Sequence, residues 1–306
     1  MAMPGIVTLA AGPLALDLAP GVGGSIAAFR GEAGGRPIDW LRPASAEALA
    51  AGDPLGMGSF PLVPFCNRVR EGTFAFGGRE VRMPRNFARS RHAIHGHGWR
   101  MPWRVERVER GSGAEGGRVS LALDHEPGEW PFRYAARQEF ELDPAGLTVR
   151  LSAENRDREP MPLGLGHHPY FPRTPGARVR ARVDAIWSTD AEVMPTALER
   201  TPVVDALARG MGVAEAALDN NFTGWDGIAE IHWPERGATL RMSAGEPLRF
   251  LVLYTPADED LFVVEPVGNC TDWLNLVHLG PERVGGGVLA PGESAEVWFR
   301  LEPRAG

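Results

Sequence analysis

Glu265 directly follows the apolar run Phe262-Val263-Val264, which puts a carboxylate at the end of a core strand. There it either turns to solvent or is held against apolar walls. In the second case its pKa rises toward neutrality, the range a general base needs. The segment GLGHHPYF (164–171) sets His167 and His168 side by side ahead of Pro-Tyr-Phe. Adjacent side chains of an extended chain point to opposite faces, so only one of them faces a given pocket, and the pattern alone does not say which. Such a histidine is either packed and hydrogen-bonded or catalytic. Residues 92–97 carry three more histidines, His92, His95 and His97. On a regular strand the H-x-H step of His95 and His97 would put both rings on one face, where two imidazoles can bind a metal. The ligand set is incomplete, because the next glutamate is Glu106, and Gly96 and Gly98 favour a loop.

Asn67 and Arg68 stand between the apolar FPLVPF and the aromatic TFAF. An arginine fork placed there suits paired hydroxyl oxygens or a carboxylate, the alternative being a surface ion pair. Asp219 opens a polar stretch, LDNNFTGWDG, that also has a turn composition. Trp99, Trp103, Trp225 and Trp273 are core candidates, and one or two at a pocket rim would stack on the C–H face of a sugar. Arg85, Arg89 and Arg91 form a modest basic cluster.

The elements that must position these groups read as strands. RVSLALD (118–124) alternates, YAARQEFEL (134–142) and LTVRLSAEN (147–155) flank the turn signal DPAG, and AEVWFRLEP (295–303) makes a last strand. RFLVLYTP (249–256) and DLFVVEP (260–266) are apolar enough for buried central strands. GSGAEGG (111–117) reads as a hairpin tip between two period-2 strands. Helical patterns are confined to 45–52 and 204–218, the second broken by Gly210 and Gly212. The chain has 38 Gly and 27 Pro in 306 residues, which favours many short strands and turns. These signals predict an all-β protein, one large domain over 1–306, with sandwich or barrel undecided. A net charge of -7 gives no footprint for nucleic acid. The apolar N-terminus lacks a basic region and is interrupted by Pro4, Pro13 and Asp17, so it reads as first strands. No apolar run is long enough for a membrane helix. Two cysteines, Cys66 and Cys270, fit a reducing compartment and a cytoplasmic protein.

Taken in order, GGSIAAF (23–29), NRVREGTFAFGGREVRMPRN (67–86), IHGHGWRMPW (94–103), GLGHHPYF, LDNNFTGWDG and VVEPVGNCTDWLN (263–275) resemble the aldose 1-epimerase (galactose mutarotase) family over nearly the whole chain. The resemblance implies a large antiparallel β-sandwich with a few short helices and a monosaccharide in a groove across it. It implies interconversion of α- and β-anomers of a free aldose, without metal or organic cofactor, by a monomer or homodimer. A base takes the proton of the C1 hydroxyl while an acid protonates the ring oxygen. The ring opens, rotates about C1–C2 and closes. By position Glu265 matches the base and His168 the acid, both poised near pH 7. His95 matches the second active-site histidine, Arg68 and Asp219 the hydroxyl-binding pair, and Asn67 the support of Arg68. Trp273 stands where a small residue is expected and would narrow the groove. Two other readings remain: a hexose 6-phosphate mutarotase of the same fold, with Arg85, Arg89 and Arg91 as its phosphate site, and a non-catalytic sugar-binding protein.

Overall fold

A computed structural model describes residues 5–111 and 115–305. Two antiparallel sheets carry the fold. The larger has nine strands and is built on three long neighbours, Tyr134–Asp143, Gly146–Asn155 and Ser294–Ala305. Their alternation sends one face inward: Leu147, Val149 and Leu151 are buried and pair across the ladder with Leu301, Phe299 and Val297. Period-2 patterning of this kind fixes register, because a one-residue slip would put the whole apolar set into water.

The second sheet has eight strands in the order Pro195–Glu199, Ala185–Thr189, Asp219–Thr223, Phe250–Tyr254, Leu261–Val267, Gly166–His167 and Pro61–Leu62, with Tyr170–Pro172 also pairing Leu261–Val267. It packs face to face on the first, so the fold is an antiparallel β-sandwich. Every residue of Leu261–Val267 is buried, as expected of a central strand covered on both faces. One cover is the nine-stranded sheet. The other is a set of loops, and the cavity lies beneath them.

The strand readings hold throughout the described residues. The hairpin at 111–117 joins Arg104–Arg110 to Gly117–His125, with Arg110 opposite Gly117; its tip, 112–114, lies outside the described residues, as do 1–4 of the first-strand reading. The helix expected at 45–52 is Ala46–Ala51, capped by the Ser45 hydroxyl and closed by Gly52 at φ 63°. The one expected over 204–218 is shorter and shifted. It runs Pro202–Arg209, ends where Gly210 adopts φ 94°, and gives way to the edge strand Met211–Gly212. Both cysteines are free and buried. No helix among the described residues is long and apolar enough to cross a membrane.

Candidate active site

Cross-strand register assembles the polar wall of one cavity. Val252 pairs with Glu265, while Tyr254 pairs with both Val263 and Asp219, and Val263 also pairs with Tyr170. Paired residues share a face, as do residues two apart on one strand. Glu265, Asp219, Tyr254 and Tyr170 therefore point the same way, and all four line a cavity of about 440 Å³. Glu265 is only 3% exposed, so the solvent-facing reading of this carboxylate is excluded.

The opposite wall comes from a two-residue ribbon, Arg68–Val69 against Ala93–Ile94. Asn67 and His95, at one end of it, both adopt φ 59°. This left-handed conformation is uncommon outside glycine, although asparagine and histidine tolerate it best. They hold each other: the His95 N–H donates to the Asn67 carbonyl at 2.9 Å, and the Asn67 N–H donates to His95 Nδ1 at 3.1 Å. With Nδ1 accepting, the ring proton sits on Nε2. Gly96 follows at φ 66°, where a Cβ would stand 2.3 Å from the Val63 carbonyl oxygen, so only glycine lets the loop pack this closely. Asn67 Oδ1 accepts from the Arg68 N–H at 2.8 Å and faces Arg68 Nη1 at 3.5 Å. The Arg68 guanidinium then reaches Asp219 Oδ2 at 3.4 Å. Asp272 fixes this ribbon from behind. Its N–H donates to the Arg68 carbonyl at 2.7 Å, and its carboxylate accepts from the Arg70 N–H at 2.9 Å.

His167 and His168 part as alternation requires. His167 turns into the sandwich, where Nδ1 meets Ser59 Oγ at 2.6 Å and Nε2 meets Gln138 Oε1 at 3.1 Å. His168 turns to the cavity, stacked on Phe60 at 4.6 Å and set edge-on to His95 at 5.2 Å. Its Nε2 stands 3.3 Å from Glu265 Oε1. His168 Nδ1 and Glu265 Oε2 are buried without hydrogen-bond partners among the described residues.

Burial, then the nearby Asp219 charge, pushes the Glu265 carboxyl well above the usual carboxylate range, against a smaller opposing pull from Arg68. Burial lowers His168 to about 3, helped by Arg42 and Arg68. The expectation that both groups are poised near neutrality is thus corrected for His168. An imidazole walled by Phe60 and Tyr170, with two guanidinium groups nearby, does not hold its own proton at pH 7. Burial thus works against the charged form of both groups, and they stand close enough to share a proton. Burial also lifts Asp219 and, with smaller contributions from His168 and Arg68, drops His95 well below its ordinary value, so His95 is a neutral donor.

All six residues singled out from the sequence, Glu265, His168, His95, Arg68, Asp219 and Asn67, meet at this one cavity. Other expectations fail. Trp273 does not narrow the cavity. It is buried elsewhere, its ring lying where a Cβ on Gly286 would be 2.4 Å away. His97 does not share a face with His95, because its ring turns to His125 at 4.0 Å and its Nε2 to the Tyr134 hydroxyl at 3.1 Å. The three arginines do not all converge: Arg89 and Arg91 line the cavity, Arg91 engaged by Glu71 and Glu192, while Arg85 donates to the Ser90 carbonyl and stays outside it. Of the four tryptophans only Trp99 lines the cavity, stacked on Phe60 at 5.3 Å. His92, noted in the sequence only as one of three clustered histidines, also lines it, as do Phe60, Tyr170, Tyr254, Glu192 and Val193, which were not singled out. Tyr254 was recoverable, since it ends the strand beside Asp219. Val193 was not, since a β-branched residue at φ 63° has no signature in the sequence.

The family profile described as aldose 1-epimerase matches residues 6–302. A relative from Escherichia coli K12, uncharacterized protein YphB, is 32% identical over 307 residues, covering 97% of this chain and 99% of its own. A galactose mutarotase-like protein from Clostridium acetobutylicum superposes with a TM-score of 0.87 at 22% identity, covering 98% of this chain and 95% of that one. Galactose 1-epimerase from Lactobacillus acidophilus NCFM gives 0.77 at 18% identity, over 98% and 94%. These last two likenesses concern the fold. With the match over nearly its full length and the cavity assembled from the expected segments, the chain belongs to the aldose 1-epimerase family.

Proposed function

We propose that this protein is an aldose 1-epimerase, an isomerase that interconverts the anomers of an aldose by acid–base ring opening and closure. The observation that carries this reading is a buried carboxylate and a buried imidazole 3.3 Å apart on the wall of a sugar-sized cavity. Anomerisation moves two protons and leaves the catalyst's count unchanged. One group takes the proton of the C1 hydroxyl, the other gives one to the ring oxygen, and closure on the opposite carbonyl face returns both. A pair holding one proton between two sites meets that requirement without exchange with solvent.

In the forward direction Glu265 acts as carboxylate base and His168 as imidazolium acid. A proton held between the two then sits on His168, a position open to it because the groups are already in contact. Arg68 favours the carboxylate form, and so does a C1 hydroxyl donating to Glu265. His95 Nε2–H donates to a sugar oxygen beside His168, and Arg68 with Asp219 orients the ring hydroxyls. Trp99, at the wall, offers a face to sugar C–H groups. Polarimetry on freshly dissolved galactose, glucose, arabinose, xylose and fucose tests the proposal against a no-enzyme control for each sugar. A rate above the control for at least one aldose is the expected result; none above it for any would sink the reading.

A further inference from the structure

His92 and His95 are fixed by the same device at opposite ends of one ribbon. As His95 Nδ1 accepts the Asn67 N–H, His92 Nδ1 accepts the Glu71 N–H at 3.0 Å, so its proton also sits on Nε2. That donor is buried, the residue being 1% exposed, and it has no hydrogen-bond partner among the described residues. The carboxylate nearest in charge, Glu192, has Oε2 at 3.9 Å from His92 Nε2, beyond hydrogen-bond reach, and gives that oxygen to Arg91 at 2.5 Å. A buried donor left unpaired is costly and needs a reason. It lines the same cavity as Glu265.

His92 precedes the strand Ala93–Ile94 and His95 follows it. Three residues of extended chain separate them by about 10 Å. With C1 of a sugar at Glu265, His168 and His95, and its hydroxyls at Arg68 and Asp219, the end remote from C1 faces His92. Arg89 lines the same cavity, exposed and without a carboxylate partner among the described residues.

We propose that His92 and Arg89 form a second subsite, one that receives hydrogen-bond-accepting oxygens on a substituent remote from C1. The preferred substrate is then an aldose extended by a glycosyl or a phosphate group, in preference to the bare hexose. The orientation, with C1 at Glu265, rests on the proposed function; the orphaned donor does not. Titration calorimetry with glucose, a reducing 4-linked glucose disaccharide and glucose 6-phosphate tests it on wild type, His92→Leu, His92→Gln and Arg89→Gln. Wild type is expected to bind at least one extended ligand more tightly than glucose, and which one names the source of the oxygens. His92→Leu should reduce that preference by about 3- to 10-fold, the worth of one hydrogen bond. His92→Gln, which keeps a donor at similar reach, should restore most of it. Arg89→Gln, at an exposed position that does not threaten folding, should reduce it independently, so the test survives a poorly folded His92→Leu. Equal affinity of wild type for all three ligands would overturn the proposal, and so would a loss in His92→Leu and Arg89→Gln that is the same for each. Calorimetry does not depend on turnover. A protein that binds selectively but leaves anomerisation at the control rate would therefore refute the proposed activity while leaving the subsite in place.

Discussion

Replacing His167 and His168 in turn by asparagine separates packing from chemistry at two neighbouring positions. His167 bridges the sheets. Gln138 Nε2 donates to the Gly24 carbonyl at 3.0 Å, which leaves Gln138 Oε1 to accept from His167 Nε2–H, and Ser59 Oγ donates to Nδ1. An asparagine amide reaches only as far as Nδ1, so His167→Asn keeps the Ser59 bond and strands Gln138 Oε1 in a buried position. That costs about 1–3 kcal/mol. At about 2–4 °C per kcal/mol for a large domain, the Tm should fall by roughly 2–12 °C. No atom of His167 faces the cavity, so kcat per folded molecule should stay within about threefold. His168→Asn removes the group beside Glu265 and should cut kcat by about 10²- to 10⁴-fold, the usual worth of a general acid or base. Urea unfolding gives the first quantity and polarimetry at saturating sugar gives the second. A His167→Asn enzyme as inactive as His168→Asn, or a His168→Asn enzyme of undiminished rate, would refute the division of labour.

Arg68→Ala should lower kcat/KM by about 10- to 100-fold, chiefly through KM, because charged hydrogen bonds to the substrate are lost and Asp219 is left unpaired; unchanged steady-state constants would remove Arg68 from the site. With His168 lowered to about 3, kcat/KM should show no inflection near 6.5 that His168→Asn abolishes. A fall centred there in wild type and absent from the residual activity of His168→Asn would mean that His168 titrates as an ordinary histidine. The same burial has a cost in acid. His97 and His167 are each lowered to about 3 in the folded protein, against 6.5 as their ordinary value. Their depressed values favour the fold above pH 6.5. That stability is lost as the pH falls toward 3, because the unfolded chain binds protons the native one refuses. Each contributes a slope of about 1.4 kcal/mol per pH unit between those limits, and urea midpoints independent of pH from 6 to 4 would contradict it.

Much of the fold was legible because period-2 patterning is a local signal. Tyr134–Asp143, Gly146–Asn155 and Leu261–Val267 coincide with the expected strands to within a residue or two. The break read at Gly210 within 204–218 is where the helix ends, but the pattern did not show that the helix would begin at Pro202 or that Met211–Gly212 would join a sheet edge. The resemblance picked His168 over His167, and alternation accounts for where each ring points. Charge at the site was the least legible property. Near-neutral poise was expected of His168 from its residue type, whereas Phe60, Tyr170 and the nearby guanidinium groups, brought together only by folding, set the opposite direction. Trp273 misled for a related reason. Its position in the sequence pointed to the groove, but the short helix Trp273–Leu276 carries its ring away beneath Gly286.

The most direct test of the acid–base account is Glu265→Gln, measured by polarimetry for turnover and by calorimetry for sugar binding on the same preparation. The side chain keeps its size and loses only its ability to accept and release the proton shared with His168. The account predicts a kcat reduced by about 10²- to 10⁴-fold with the sugar still bound. Anomerisation at the wild-type rate by a folded, sugar-binding Glu265→Gln enzyme would contradict it.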